Sequence, residues 1–171
     1  GNNRRARYRV RAFTCRPGTT VHLLSGPPKN REDDSRVIRS WLLANGVKLV
    51  CGSTTAEIVA RVMRARVDIK EPAINSQFEP PSYSIPGIDM VTEGALTLNQ
   101  VYNILDEDNS RYEPESCVSG LCALLKSADC IRIWAGGAHN AGHDNITFSQ
   151  MGILSRHKII PLIAEKLRKM G

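Results

Sequence analysis

Apolar residues fall into two kinds of run along this chain. The first kind is short and nearly continuous: Thr20–Ser25 (TVHLLS), Val47–Val50 (VKLV), Ile88–Val91 (IDMV) and Cys130–Trp134 (CIRIW). Runs of that length, bounded by turn residues, predict strands, and their lack of polar alternation suits parallel strands covered on both faces. Arg66–Ile69 reads as a further short strand. The second kind repeats every three or four residues. Val37, Ile38, Trp41 and Leu42 form one such stripe, and Ile58, Val59, Val62 and Met63 a second. Leu98, Val101, Tyr102 and Leu105 form a third, then Val118, Leu121, Cys122 and Leu125, then Ile159, Ile160, Ile163 and Leu167. Each stripe predicts an amphipathic helix.

The boundaries have local chemistry. Gly26-Pro27-Pro28 stops the first strand, because proline cannot continue a central ladder. Asp33, Asp34 and Ser35 suit a helix start, and Asn45-Gly46 its end. Thr54 to Glu57 and Thr97 to Gln100 both fit capping boxes, which predict helix starts at Thr54 and Thr97. The proline- and serine-rich stretch 71–87 predicts a long loop, the kind that in a compact domain is often functional. Strands alternating with helices predict an α/β fold, a three-layer sandwich with a mostly parallel sheet and helices on both faces. Residues 20–171 then form a single domain, preceded by a basic arm or edge strand over residues 1–19.

Composition narrows the picture. The 171 residues are 42% hydrophobic and carry a net charge of +6. That suits one domain with a real core. No apolar run reaches the roughly 20 residues that span a bilayer, and no membrane partner is expected. The basic first dozen residues lack the apolar stretch of a signal peptide, so the expected location is cytoplasmic. Much of the excess charge is in Arg4, Arg5, Arg7, Arg9, Arg11 and Arg16, and Arg7 to Phe13 alternates as an edge strand with one charged face. Aromatic content is low and no nucleic-acid motif accompanies these arginines, so a nucleic-acid partner is not expected. The cysteines at 15, 51, 117, 122 and 130 form no CxxC pair and read as free thiols.

In open α/β sheets ligands bind beyond the carboxyl ends of the strands. Four segments lie there: Ser25-Gly26-Pro27, Cys51–Thr55, Thr92-Glu93-Gly94 and Gly136–Asn145. In Cys51-Gly52-Ser53-Thr54-Thr55, a glycine turn opens a helix whose first N–H groups, with the hydroxyls of Ser53 and Thr55, are donors for a phosphate or carboxylate. The same pattern also describes a simply capped helix. No Walker lysine accompanies it. Glu93 could accept a ligand hydroxyl, act as a base, or only begin a helix. Gly26, Gly94 and Asn140 complete the expected ligand-binding set. His139, His143 and Asp144 could hold a divalent metal, and Glu93 and His139 are the catalytic candidates; a glycine-rich loop with hydrogen-bonding side chains is the other reading of that segment. Asp144-Asn145-Ile146-Thr147 is similar to a metal-binding segment of type 2C phosphatases. That chemistry needs further aspartates in Asp-Gly pairs, and the chain has none.

Longer motifs carry a resemblance. Leu23-Leu24-Ser25-Gly26-Pro27-Pro28, the run Val50-Cys51-Gly52-Ser53-Thr54-Thr55-Ala56-Glu57-Ile58-Val59-Ala60-Arg61, and Gly87-Ile88-Asp89-Met90-Val91-Thr92-Glu93-Gly94-Ala95-Leu96-Thr97-Leu98 resemble the region after the phosphatase domain in SpoIIE-type serine/threonine phosphatases of anaerobic bacteria. Ile131 to Asn140 is similar to that region's last strand. The chain departs from the pattern at Ser53, where a second glycine is usual, and at Asn30, where an aspartate is common. The resemblance implies a bacterial signalling context and a phosphatase domain or signalling protein as partner. The expected function is a regulatory or ligand-binding domain that takes a small anionic ligand. The alternatives are a phosphoryl-transfer or hydrolytic enzyme, and a protein-interaction module.

Overall fold

The computed structural model describes residues 16–70, 79–138 and 146–171. Its strands are β1 (Thr20–Ser25), β2 (Val47–Cys51), β3 (Asp68–Lys70), β4 (Ser82–Ser84), β5 (Met90–Thr92) and β6 (Cys130–Ala135). They form one six-stranded sheet in the order β3-β4-β5-β2-β1-β6. The pairs β1/β2, β1/β6 and β2/β5 are parallel, and the edge pairs β4/β5 and β3/β4 are antiparallel. The helices are α1 (Asp34–Leu43), α2 (Ser53–Met63), α3 (Ala95–Ile104), α4 (Cys117–Ser127), α5 (Ile146–Gln150) and α6 (Arg156–Met170). The fold is the expected three-layer α/β sandwich.

The alternation of side chains along each strand sorts the core into two halves. Val21 and Leu23 of β1, with Leu49 of β2, face α3, α4 and α6, where they meet Leu98, Val101, Leu121, Cys122, Leu125, Ile159 and Ile163. Leu24 and Val50 face the other way, toward Ile38 and Trp41 of α1 and Ala56 and Val59 of α2. The helix layer changes face where the chain changes direction across the sheet. From β1 it steps to β2 and then β5 on one side. It then returns past β1 to β6 on the other. Between β1 and β6 the strand order therefore reverses, which is where open α/β sheets leave a crevice.

β3 and β5 each begin two residues later than expected, and two helix starts also differ. The helix predicted from Thr54 starts at Ser53, and the one predicted from Thr97 starts at Ala95, with Thr97 buried inside it. Neither threonine caps its helix. A strand, β4, also lies inside the stretch read as loop. Tyr83 pairs with Val91 of β5 on one side and Ile69 of β3 on the other, so its backbone groups are satisfied without an apolar sequence run. The basic stretch 1–15, including Cys15, and residues 71–78 lie outside the described residues. Arg16 begins the described chain and pairs with Asp129 at 2.9 Å, and the Thr19 N–H donates to the same carboxylate at 2.7 Å. No helix among the described residues is long and apolar enough to cross a membrane.

Candidate functional site

A cavity of about 220 Å³ lies beyond the carboxyl ends of the parallel strands, and four turns close around it. β1 and the turn after it contribute Ser25 and Pro27, β2 and the head of α2 contribute Cys51 to Thr55, the segment after β5 contributes Glu93 to Ala95, and the chain after β6 contributes Ala138. The four segments expected at the strand ends thus meet as far as they are described. Backbone hydrogen bonds hold the turns together. The Gly52 N–H donates to the Thr92 carbonyl at 2.9 Å, and the Gly136 N–H to the Ser25 carbonyl at 2.9 Å.

The head of α2 faces this space. Gly52 takes φ +127°, a conformation open to glycine and strained for other residues, and the chain turns there from strand to helix. The helical ladder begins with the Ala56 N–H donating to the Gly52 carbonyl. The N–H groups of Ser53, Thr54 and Thr55 precede it and have no intrahelical acceptor. No side chain caps this end. Thr55 is buried and its hydroxyl oxygen accepts the Gly26 N–H at 3.0 Å, which ties the first turn to α2. Thr55 therefore positions the site, while the exposed Ser53 and Thr54 hydroxyls remain for a ligand.

Cys51 contributes backbone alone. Its side chain lies in the core, and the Thr92 hydroxyl, which reaches the Glu93 carbonyl at 2.9 Å, also lies 3.2 Å from its sulfur. Burial pushes the Cys51 thiol up to about 12, so it is not a thiolate nucleophile at neutral pH. Burial likewise pushes Cys117 up to about 12 and Cys122 to about 11. The sign of the consequence follows from linkage. The unfolded chain ionises its thiols near 9 and the folded chain does not. Stability from Cys51 is therefore full below pH 9 and is lost as pH rises toward 12. Between pH 8 and pH 10 the Cys51 share of the loss is about 1 kcal/mol. Urea midpoints at the two pH values check this, and the drop should shrink in Cys51→Ala. A wild-type midpoint that does not move with pH contradicts it.

Glu93 has a defined task. Its carboxylate accepts the N–H groups of Leu96 at 3.0 Å and Thr97 at 3.3 Å, both through Oε2. It thus does the work predicted for Thr97, and its negative charge suits a helix start. The same side chain lines the cavity.

The most informative residue, Arg156, was not among the expected ones. It opens α6 yet is only 7% exposed. Its guanidinium lies over Gly26, where a Cβ would sit 2.0 Å from Nη1, so the arginine occupies the place of a side chain. Gly26 itself takes φ +82°. One nitrogen, Nη2, donates to the carbonyls of Gly136 at 3.1 Å and Ala138 at 2.5 Å. Buried Nε has no partner among the described residues, and no described carboxylate pairs with the charge. Burial lowers its pKa from the usual arginine value, but a guanidinium stays charged. A cation in the first turn of a helix also opposes the macrodipole. Ser25, fully buried beside it, likewise has a hydroxyl with no partner. A positively charged side chain directly after Ser155 at a helix start was the one sequence signal that pointed here.

Gly52, Ser53, Thr54, Thr55, Glu93 and Gly94 thus line the cavity together with Cys51, and Gly26 lies beneath Arg156 at its edge. Asn140, His139, His143 and Asp144 fall outside the described residues. Among the described residues no three histidine, cysteine or acidic side chains group as a metal site. No protein-family model, curated protein or solved structure matches the chain.

Proposed function

We propose that this domain binds a small anionic ligand at the strand carboxyl ends and serves as a regulatory module. The observation that carries this reading is Arg156, a buried cation without a described carboxylate partner, at the edge of a cavity headed by the free N–H groups of α2. Leaving a charge buried and unpaired is costly, and an arriving anion offsets that cost. Helix N–H groups and a guanidinium together form a strong oxyanion site. The motif resemblance supplies the context: a SpoIIE-type phosphatase domain or signalling protein as partner, in a bacterial cytoplasm.

Inorganic phosphate should raise the melting temperature in proportion to its concentration, since a ligand that binds only the folded state stabilises it. Ser53→Glu separates the site from the helix. A carboxylate in the first turn of α2 suits the macrodipole, so the unliganded protein should melt slightly higher. The same charge repels phosphate, and affinity should fall about tenfold or more. If phosphate does not stabilise the wild type at millimolar concentration, or if Ser53→Glu binds it equally well, the reading fails.

A further inference from the structure

The walls of the cavity differ in charge, and that difference bears on which anion it takes. Arg156, the buried Ser25 hydroxyl and the three N–H groups at the head of α2 present donors. Ser53 and Thr54 add two exposed hydroxyls. A planar carboxylate has two oxygens to meet them. A phosphate monoester has three free oxygens in a tetrahedral array and uses more of these donors at once.

The segment after β5, beside the head of α2, brings in Glu93, a carboxylate that a bare phosphate would meet as a like charge. Its Oε2 is occupied by the two N–H groups of α3. Its second oxygen has no donor among the described hydrogen bonds, and the residue borders the cavity. Glu93 is half-buried, and this oxygen is able to accept an O–H or N–H from a ligand. The size is limiting too. A volume of about 220 Å³ is below that of drug-sized sites. At about 30 Å³ per water it holds roughly seven water-sized groups, enough for a phosphate and a short arm.

We propose that the ligand is a free small phosphate monoester with a hydroxyl about two carbons from the phosphate, the phosphate held by Arg156 and α2 and the hydroxyl donating to Glu93. This rests on the anion-site reading above and adds the second recognition point. A hydrogen bond to a charged acceptor in a partly enclosed site sets the expected preference at about tenfold.

Calorimetric titration with inorganic phosphate, ethyl phosphate and 2-hydroxyethyl phosphate tests it. The hydroxylated ester should bind about tenfold tighter than ethyl phosphate. Glu93→Gln keeps an oxygen for the start of α3 and removes the negative charge. In that variant phosphate should bind severalfold tighter than in wild type, while the preference for the hydroxylated ester shrinks. A melting curve on the variant shows that the fold survives. Equal binding of the two esters by wild type, with phosphate still bound, overturns the proposal and leaves the anion site standing. A preference that persists unchanged in Glu93→Gln and in Glu93→Ala also overturns it. If no phosphate compound binds, the anion site itself falls and this proposal with it.

Discussion

Arg156→Met should lower phosphate affinity about a hundredfold while changing the stability of the unliganded protein by no more than about 1 kcal/mol. The two effects come from separate interactions. On the proposed reading the guanidinium faces the bound anion in a partly enclosed site, and losing one member of such a pair costs about 2–5 kcal/mol of binding. In the free protein the arginine is a buried cation, hydrogen-bonded to the Gly136 and Ala138 carbonyls but without a described acidic partner. Methionine removes those two hydrogen bonds and also the desolvation of an unpaired charge, and these changes oppose each other. Urea unfolding without ligand and calorimetry with phosphate read the two quantities independently. A variant that unfolds several kcal/mol more easily, with phosphate affinity retained, would make Arg156 a structural strut and refute the binding role.

The largest expected loss of stability belongs to Trp41→Ala. Trp41, on α1, has no exposed surface and belongs to the core cluster that includes Leu24, Ile38, Val50 and Val59. Its indole N–H donates to the His22 carbonyl at 3.4 Å, and the Lys48 ammonium lies 5.9 Å from the ring centroid. Truncation to alanine leaves a large cavity and should cost about 3–5 kcal/mol. That is a large part of the 5–15 kcal/mol that stabilises an ordinary domain. Trp134 remains as a fluorescent reporter, so chemical unfolding followed by fluorescence and circular dichroism measures the loss. A cost below about 1 kcal/mol would show that this face of the sheet is not packed as described.

The elements that the sequence reveals are those whose stabilisation is local or repetitive. β1, β2 and β6 are apolar runs between turn residues, and they form within a residue or so of their predicted limits. The five amphipathic stripes all become helices. β4 escapes notice because Ser82-Tyr83-Ser84 has no apolar run, and its existence depends on pairing with β5. The start of α3 shifts because an upstream glutamate, not a threonine, reaches its free N–H groups. α5 is a single short turn without a periodic signal. The site divides in the same way. Cys51 to Thr55 is legible, since a glycine and hydroxyls after a buried strand imply open donors. The placement of Arg156 over Gly26 is not, because it arises only when α6 packs on the face of the sheet and its first residue reaches the strand ends.

The position of β1 has a consequence for how the protein is made. β1 is the first strand of the described chain, but it lies between β2 and β6. While the ribosome has yet to release β6, one side of β1 carries unpaired backbone groups next to an apolar face. The cation of the site arrives later still, with α6. If the domain binds an anion as proposed, the nascent chain forms its sheet before Arg156 is in place, and a ligand present during translation would act only on the final packing step. On the proposed anion-site reading the sheet is sealed by β6 and the site is completed only afterwards by α6, so occupancy would report that synthesis of the domain has reached its last helix.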